Sequence, residues 1–443
     1  MIDDNGLKTK PRPIMYLKST LAISLLISSI ISVASCQQKE LTKEEKEEIS
    51  QTSSDTVQTA VGELILPAPY STESVENHSE VVGWSDDRMP KAPAGFTVSK
   101  FADELDNPRN TYIGPNEDIF IVESNTKGSA DRITVFRDED KNGDYEIREI
   151  FKEDLNQPYG MLILNDYFYV ANTDGLYRFP YKTGQLKLES EGEKIVDLPA
   201  GGYNNHWTRN LIANEDGSKI YISVGSASNN AEHGMEEEVR RAAILEVNPD
   251  GTGEIVYGKG LRNPVGMSWN PANQELWTAV NERDKLGNNL VPDYITSVKK
   301  DGFYGWPYSY FGQIEDPRMA GQAPDLVESA IIPDVPVGSH TASLGLTFYD
   351  GSNFPEKYKN GAFVGQHGSW NRENLSGYKV LFVPFENGKP AGEPEDFLTG
   401  FVSDADDSEV YGRPVDVTVM PDGSLLVNDD SGNTVWKISF EGN

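Results

Sequence analysis

Short apolar runs alternate with polar turn signals along most of this chain. Six times a turn signal leads into a run of strand length: "GPNEDIFIVES" (114–124), "LNDYFYVANT" (164–173), "NEDGSKIYISVGS" (214–226), "NPANQELWTAV" (270–280), "FPEKYKNGAFVGQ" (354–366) and "MPDGSLLVNDD" (420–430). A second run follows each: "RITVFRD", "GLYRFPY", "AAILEVNP", "YITSVKK", "YKVLFVPF" and "TVWKISF". Runs this short, bounded by Gly, Pro, Asn and Asp, predict antiparallel strand pairs. The pairs recur at about 50 to 85 residues, on the long side of a propeller blade's period. Helical periodicity is scarce in the body, apart from "AEHGMEEEVRR" (231–241). The expected fold is all-β, a six-bladed β-propeller over residues 86–443. A barrel or sandwich is the rival, and neither predicts so regular a repeat.

Before each turn signal stands a related phrase: "LDNPRN" (105–110), "LNQPYGM" (155–161), "NNHWTRN" (204–210), "LRNPVGM" (261–267), "GSHTASLG" (338–345) and "YGRPVDV" (411–417). In a propeller these phrases open the strands that line the central channel, so they converge on one face. Arg109, Gln157, His206, Arg209, Arg262, Asn263, His340 and Arg413 would then form one ring. Asn-Pro and Gly-Arg-Pro also serve as turn chemistry, which accounts for the prolines. Several clustered arginines are harder to explain without an anion between them, so the ring is expected to bind an anionic, hydrogen-bonding ligand.

Composition sharpens this. The 40 Gly, 26 Pro, 20 Tyr and 17 Phe suit a β-rich fold. A formal net charge of −31 opposes binding of nucleic acid or anionic lipid by the folded body. Any cationic patch is therefore local. The single cysteine, Cys36, rules out a disulfide framework.

Its context gives it a purpose. "MYLKSTLAISLLISSIISVASC" (15–36) places a Lys before an apolar stretch and small residues before Cys. Residues 1–35 thus read as a secretory signal, with Met15 an alternative start, rather than as a membrane span. The ending Val33-Ala34-Ser35-Cys36 resembles a bacterial lipobox, which implies lipidation at Cys36 and an extracytoplasmic domain anchored to a membrane by acyl chains. Residues 36–85, charged and Ser/Thr-rich, are expected to be a disordered acidic tether with at most a short helix over 43–48.

"DEDKNGDYEIRE" (138–149) fits the EF-hand loop formula, with Asp138, Asp140, Asn142, Asp144 and Glu149 as candidate Ca²⁺ ligands. Its flanks alternate like strands, so it is an acidic hairpin connection, and a solvated turn without an ion is the alternative. His78 and His233 are expected at the surface, and His340 as a structural histidine.

Taken together, "HWTRNLI", "GLRNPVGM", "NERDKLGNNLVPDYIT", "GFYGWPYSY", "QHGSWNRENLSGYKVLFVPF" and "GRPVDVTVMPDGSLLVNDD" resemble the pyrroloquinoline-quinone (PQQ)-dependent sugar dehydrogenases, in particular the L-sorbosone dehydrogenase-like branch and more distantly soluble glucose dehydrogenase. The motifs run in order from Pro93 to Phe440. The resemblance implies a six-bladed propeller that holds PQQ over its axis with Ca²⁺. It implies His206 as the base and Arg262 as the group beside the quinone oxygen. Arg109, Gln157, Arg209, Arg262, Asn263, His367, Arg372 and Arg413 would contact the cofactor. Main-chain carbonyls of Arg283 and Asp284 would hold Ca²⁺. Asn205 precedes His206 where soluble glucose dehydrogenase has an Asp, so the imidazole's orientation must rest on an amide or another group. Only Arg413 stands where that enzyme has paired arginines.

The chemistry is coherent without the name. Oxidising a sugar hydroxyl needs a base, for which His is suited, and a hydride acceptor, which no side chain supplies. No G-x-G-x-x-G stands between a strand and a helix, which argues against nicotinamide. An electron acceptor, a quinone or cytochrome, would follow. Trp306 and Trp370 are candidates to stack on a sugar, or else core. Two other readings stay open: a calcium-dependent lactonase-type propeller, which wants Glu, Asn and Asp side chains at an axis that here has few carboxylates, and a non-catalytic surface propeller that binds glycans or a partner.

Overall fold

The computed structural model describes residues 40–442 except Asp86. The expected signal segment and Cys36 lie outside the described residues. Among the described residues, no helix is long and apolar enough to cross a membrane.

Six sheets of at least four strands follow one another along the chain, antiparallel except for the short strand Gly302–Phe303, which joins the third in parallel. Their innermost strands are Pro108–Ile113, Gly160–Leu164, Leu211–Ala213, Asn263–Trp269, Ser343–Phe348 and Pro414–Val419. Each packs against the innermost strand of the next sheet, and the last packs against the first, so the six close into a ring. The sixth sheet is completed by Phe96–Ala102, which pairs with Thr434–Phe440 and ties the start of the body to its end. This is a β-propeller, and the strand pairs read from the sequence are the inner hairpins of its sheets.

The ring needs close approach between inner strands, and glycine permits it. A Cβ on Gly160 would lie 2.6 Å from the Leu211 amide nitrogen in the next sheet, and one on Gly266 would collide with the Leu346 amide. The recurring "PYGM" and "PVGM" phrases thus encode sheet packing. Second strands such as Ile119–Glu123, Ile220–Val224 and Leu425–Asp429 are buried throughout, covered on both faces by neighbouring sheets. The outermost strand of the first sheet, Ile147–Lys152, is mostly solvated.

The segment expected to be a disordered tether is ordered from Thr42 onward. Helix Lys43–Ile49 starts at a capping box in which Thr42 and Glu45 bond reciprocally. A hairpin follows, Asp55–Thr59 paired with Gly62–Leu66. Its Val57 and Leu66 are buried with Leu286, Leu290, Tyr294, Tyr310 and Phe311 of the body. Composition missed this because few apolar residues suffice when the body supplies the opposing face. "AEHGMEEEVRR" forms only a 3₁₀ turn, Met235–Glu238.

Candidate functional site

Where the inner strands of the third, fourth and fifth sheets open on one face, a cavity of about 400 Å³ is lined by His206, Asn263, Glu282, Asp284, His340 and Trp370, with Arg262 and Asp293 in its wall. That volume lies within the usual range for small-molecule sites, about 300–1,000 Å³.

His206 sits just before the strand Leu211–Ala213. Its Nδ1 lies 3.0 Å from the Ser226 carbonyl and 2.9 Å from Ser226 Oγ. Ser226 Oγ spends its own proton on the Ser228 carbonyl at 2.6 Å. Both Ser226 oxygens therefore accept, which puts the proton on Nδ1 and leaves Nε2 as a bare acceptor. Nε2 has no hydrogen-bond partner among the described residues. Burial, and then the Arg262 charge, hold the imidazole well below its usual pKa, so it is neutral near pH 7.

Arg262 is buried and all its donors are engaged. Nε and Nη2 donate to the main-chain and side-chain oxygens of Asn229, Nη1 to the carbonyls of Asn281 and Glu282, and Nη2 also to Asp284 Oδ2 at 3.1 Å. Its guanidinium is thus fixed in place beside the cavity. Asn229 is the hub of this corner: its Oδ1 also accepts from the Asp284 amide and its Nδ2 donates to the Asp284 carbonyl.

Four carboxylates line the same space: Glu232, Glu282, Asp284 and Asp293. Asp284 Oδ1 meets His340 Nδ1 at 3.1 Å. Burial disfavours both charges, but the pairing outweighs it, lowering the Asp284 pKa and raising that of His340. Burial pushes the Glu282 carboxyl up to about 7 and Asp293 up to about 6. Glu282 Oε1 and Asn263 Oδ1 are buried and have no partner. Two unpartnered acceptors in one cavity wall suit a cation or a donor from outside the chain. The residues present therefore fit a divalent cation, which Glu282 and Asn263 would hold.

The expected ring divides in two. His206, Arg262, Asn263, His340 and the Asp284 side chain line the cavity, and Trp370 covers one side of it. Arg109, His367 and Arg413 gather instead around Asp430, outside that cavity. Arg109 Nη1 pairs with Asp430 Oδ2, His367 Nε2 meets Asp430 Oδ1 at 2.8 Å, and Arg413 donates to the carbonyls of His367 and Gly368. Burial, then Arg413, lowers the His367 pKa to about 4, whereas Asp430 is held below the carboxylate range despite its burial. A carboxylate from the sixth sheet, which ends the phrase "MPDGSLLVNDD" but was not singled out, thus supplies the anion that the arginines were expected to seek in a ligand.

Arg209, Gln157 and Arg372, expected as cofactor contacts, do not line the cavity. Arg209 is fully buried beneath the His206 loop and donates to the carbonyls of Pro199, His206 and Thr208. Gln157 reaches toward the Asn125 carbonyl at 3.4 Å, and Arg372 toward Ser339 O and Asn289 Oδ1. The Arg283 side chain is buried against Asp316. The Asp284 carbonyl, expected as a metal ligand, accepts from Asn229 and from the Arg283 guanidinium. Trp306 is core, with Nε1 donating to the Asn229 carbonyl.

Sequence reasoning missed Ser226, Asn229, Glu282 and Asp293. It also took the axis to be poor in carboxylates, and the cavity corrects that. The polar stretch "SASNN" directly after an apolar strand was the available signal for the first two, and the acids of "NERD" and "VPDY" for the others. In the acidic loop, Asp138, Asp140 and Glu146 come together. Glu149 lies outside that group on the strand Ile147–Lys152, and Asn142 and Asp144 are used in local turns. His78, expected at the surface, stacks on Trp370 with centroids 5.7 Å apart, and His233 stacks on Tyr203.

The family model described as TrAA12-like matches residues 90–301 and 325–441. The aldose sugar dehydrogenase YliI of Escherichia coli is 28% identical over 284 residues, covering 58% of this chain and 68% of that protein. Among solved structures, the PQQ domain of a pyranose dehydrogenase from Coprinopsis cinerea, in its holo form, superposes with a TM-score of 0.67 at 20% identity, over 81% of this chain and 98% of that one. A calcium structure of a Trichoderma reesei enzyme of carbohydrate-active family AA12 gives 0.66 at 18% identity, over 83% and 99%.

Proposed function

The chain belongs to the TrAA12-like family, and from that premise we propose that it is a PQQ-dependent oxidoreductase that oxidises a sugar, sugar aldehyde or sugar alcohol. The observation that carries the reading is a neutral His206 with Nδ1–H fixed on Ser226 and Nε2 open to a cavity with buried, orphaned acceptors. The names of its relatives, a PQQ-domain pyranose dehydrogenase and an aldose sugar dehydrogenase, support the substrate class.

In this reading His206 Nε2 takes the hydroxyl proton of the bound sugar. Ser226 holds the ring in the productive tautomer and shares the charge that develops. Arg262, immobilised by Asn229 and Asp284, stabilises negative charge that builds across from His206 without having to reorganise. Glu282 and Asn263 would hold Ca²⁺ through their free oxygens, beside the loop of Arg283 and Asp284. PQQ, when bound, supplies the hydride acceptor that the side chains lack. Trp370 offers an aromatic face to a sugar ring. The arrangement is a six-bladed propeller used at one end of its channel.

The test is direct. Purified apo protein receives PQQ and Ca²⁺, and dye reduction is followed across aldoses, sorbosone-type aldehydes and sugar alcohols. The absence of both cofactor binding and dye reduction would sink the reading. A calcium-dependent lactonase is the second reading, favoured by the four cavity carboxylates, and hydrolysis of sugar lactones without PQQ would establish it. The lipobox-like phrase supports an extracytoplasmic enzyme anchored through Cys36 that passes electrons to a membrane quinone or a cytochrome. Loss of membrane association in Cys36→Ser tests the anchor.

A further inference from the structure

A second cavity, of about 670 Å³, lies beside the first, and most of its wall is outside the family match. Lys43 and Lys46 come from the N-terminal helix, Tyr70, Glu73 and Glu76 from the strap that follows the hairpin, and Lys285 from the body. Lys285 lines both cavities, and the neighbours Trp370 and Asn371 face one each. The two spaces therefore meet across a single saddle.

The strap is fixed in place. Tyr70 N donates to the Leu286 carbonyl at 2.7 Å, Asn77 N to the Trp370 carbonyl at 2.7 Å, and Asn371 Nδ2 to the Val75 carbonyl at 3.1 Å. The Asn288 amide donates to Thr72 Oγ1 at 2.9 Å. The segment thus grips the two loops that carry Asp284 and Trp370, and the second cavity is the more open of the two.

Its charged groups are exposed and face the open space. Among the described residues, Lys43, Glu73, Glu76 and the Lys285 ammonium have no hydrogen-bond or ion-pair partner, although acids and bases share the wall. Lys46 reaches only the Tyr70 ring. Three lysines against Glu47, Glu73 and Glu76 give no net charge, which favours a neutral ligand. Such a ligand must offer many donors and acceptors to opposed charged groups, as sugar hydroxyls do.

We propose that this cavity is a saccharide subsite that takes the neighbouring ring of a di- or oligosaccharide whose terminal ring lies against His206. The inference rests on the reading of the first cavity as a sugar-oxidising site. It makes the N-terminal segment a specificity element built onto the propeller.

Saturation-transfer NMR on the full chain, with glucose, maltose, cellobiose and lactose as probes, tests it without any redox step. The expected result is that at least one disaccharide receives saturation on both rings. In the Glu73→Gln/Glu76→Gln double variant the second ring's signal is lost. In the loaded enzyme, kcat/KM for that disaccharide then falls about tenfold while that of the monosaccharide stays unchanged. Contact through one ring only, or an equal loss for both sugars, would overturn the proposal. Absence of dye reduction with every sugar would instead defeat the dehydrogenase reading, while two-ring contact would still identify the subsite.

Discussion

His206 is held by Ser226 and not by its neighbour Asn205: Nδ1 meets the Ser226 carbonyl at 3.0 Å and Ser226 Oγ at 2.9 Å, while the Asn205 amide donates to the Ala227 carbonyl. A main-chain carbonyl cannot be mutated away, so the two substitutions at this pair should differ in size. His206→Ala removes the base and should lower kcat at least about a hundredfold, the usual range for general-base loss. Ser226→Ala keeps the carbonyl bond and should cost about tenfold or less. Steady-state dye reduction on both variants, with circular dichroism as the folding control, measures the difference.

The pH profile carries a second expectation. Burial and Arg262 hold the His206 pKa well below 6.5. The base works unprotonated, so activity is lost only as pH falls through that lowered value, and the acid limb of kcat/KM should lie below 6.5. Arg262→Gln removes the largest charge opposing protonation, so the limb should move upward toward the ordinary histidine value. The position of the limb is the readout, since the height will also drop when Arg262 goes. An unmoved limb would show that another group titrates.

Much of this was legible in the sequence, and the gaps have physical causes. The strand repeat follows from alternation, and the prominence of His206, Arg262 and Asn263 from their place at the start of inner strands. The division of the arginines was not legible. Asp430, which neutralises Arg109, comes from the other end of the body and only the closed ring brings it near, while Asp316, which neutralises Arg283, comes from an excursion between strands of the same sheet. The docked N-terminal hairpin was hidden for a similar reason, because Val57 and Leu66 become core only against Leu290 and Tyr310.

The orphaned oxygens of Glu282 and Asn263 make a prediction about metal. Ca²⁺ and PQQ added together should raise the melting temperature of the apo protein more than the sum of either alone, because each supplies charge that the other needs. A ligand at a hundred times its Kd adds about 2.7 kcal/mol, an easily measured shift. Glu282→Gln should weaken Ca²⁺ binding by calorimetry and reduce the joint shift, while EDTA should abolish it. Equal shifts in wild type and variant would remove Glu282 from the metal site.

Arg209 separates support from chemistry. It is fully buried, and its guanidinium binds the carbonyls of Pro199, His206 and Thr208 together with Asn204 Oδ1, an oxygen that also accepts from Arg241. Burial and the nearby Arg241 lower its pKa to about 9, so it stays charged at neutral pH without a carboxylate partner. Two effects oppose each other when Arg209→Met is made. Relief of the buried charge stabilises the fold, but several buried acceptors lose their donors at about 1–3 kcal/mol each. The acceptors outnumber the single charge, so a net loss of about 3 kcal/mol is expected in urea unfolding. Arg209→Lys keeps the charge but cannot span all the acceptors, and it should lose nearly as much. Because the His206 carbonyl is one of those acceptors, both variants should also lose kcat under conditions where they remain folded, with KM for PQQ little changed. A large rise in that KM would instead return Arg209 to the cofactor's binding shell.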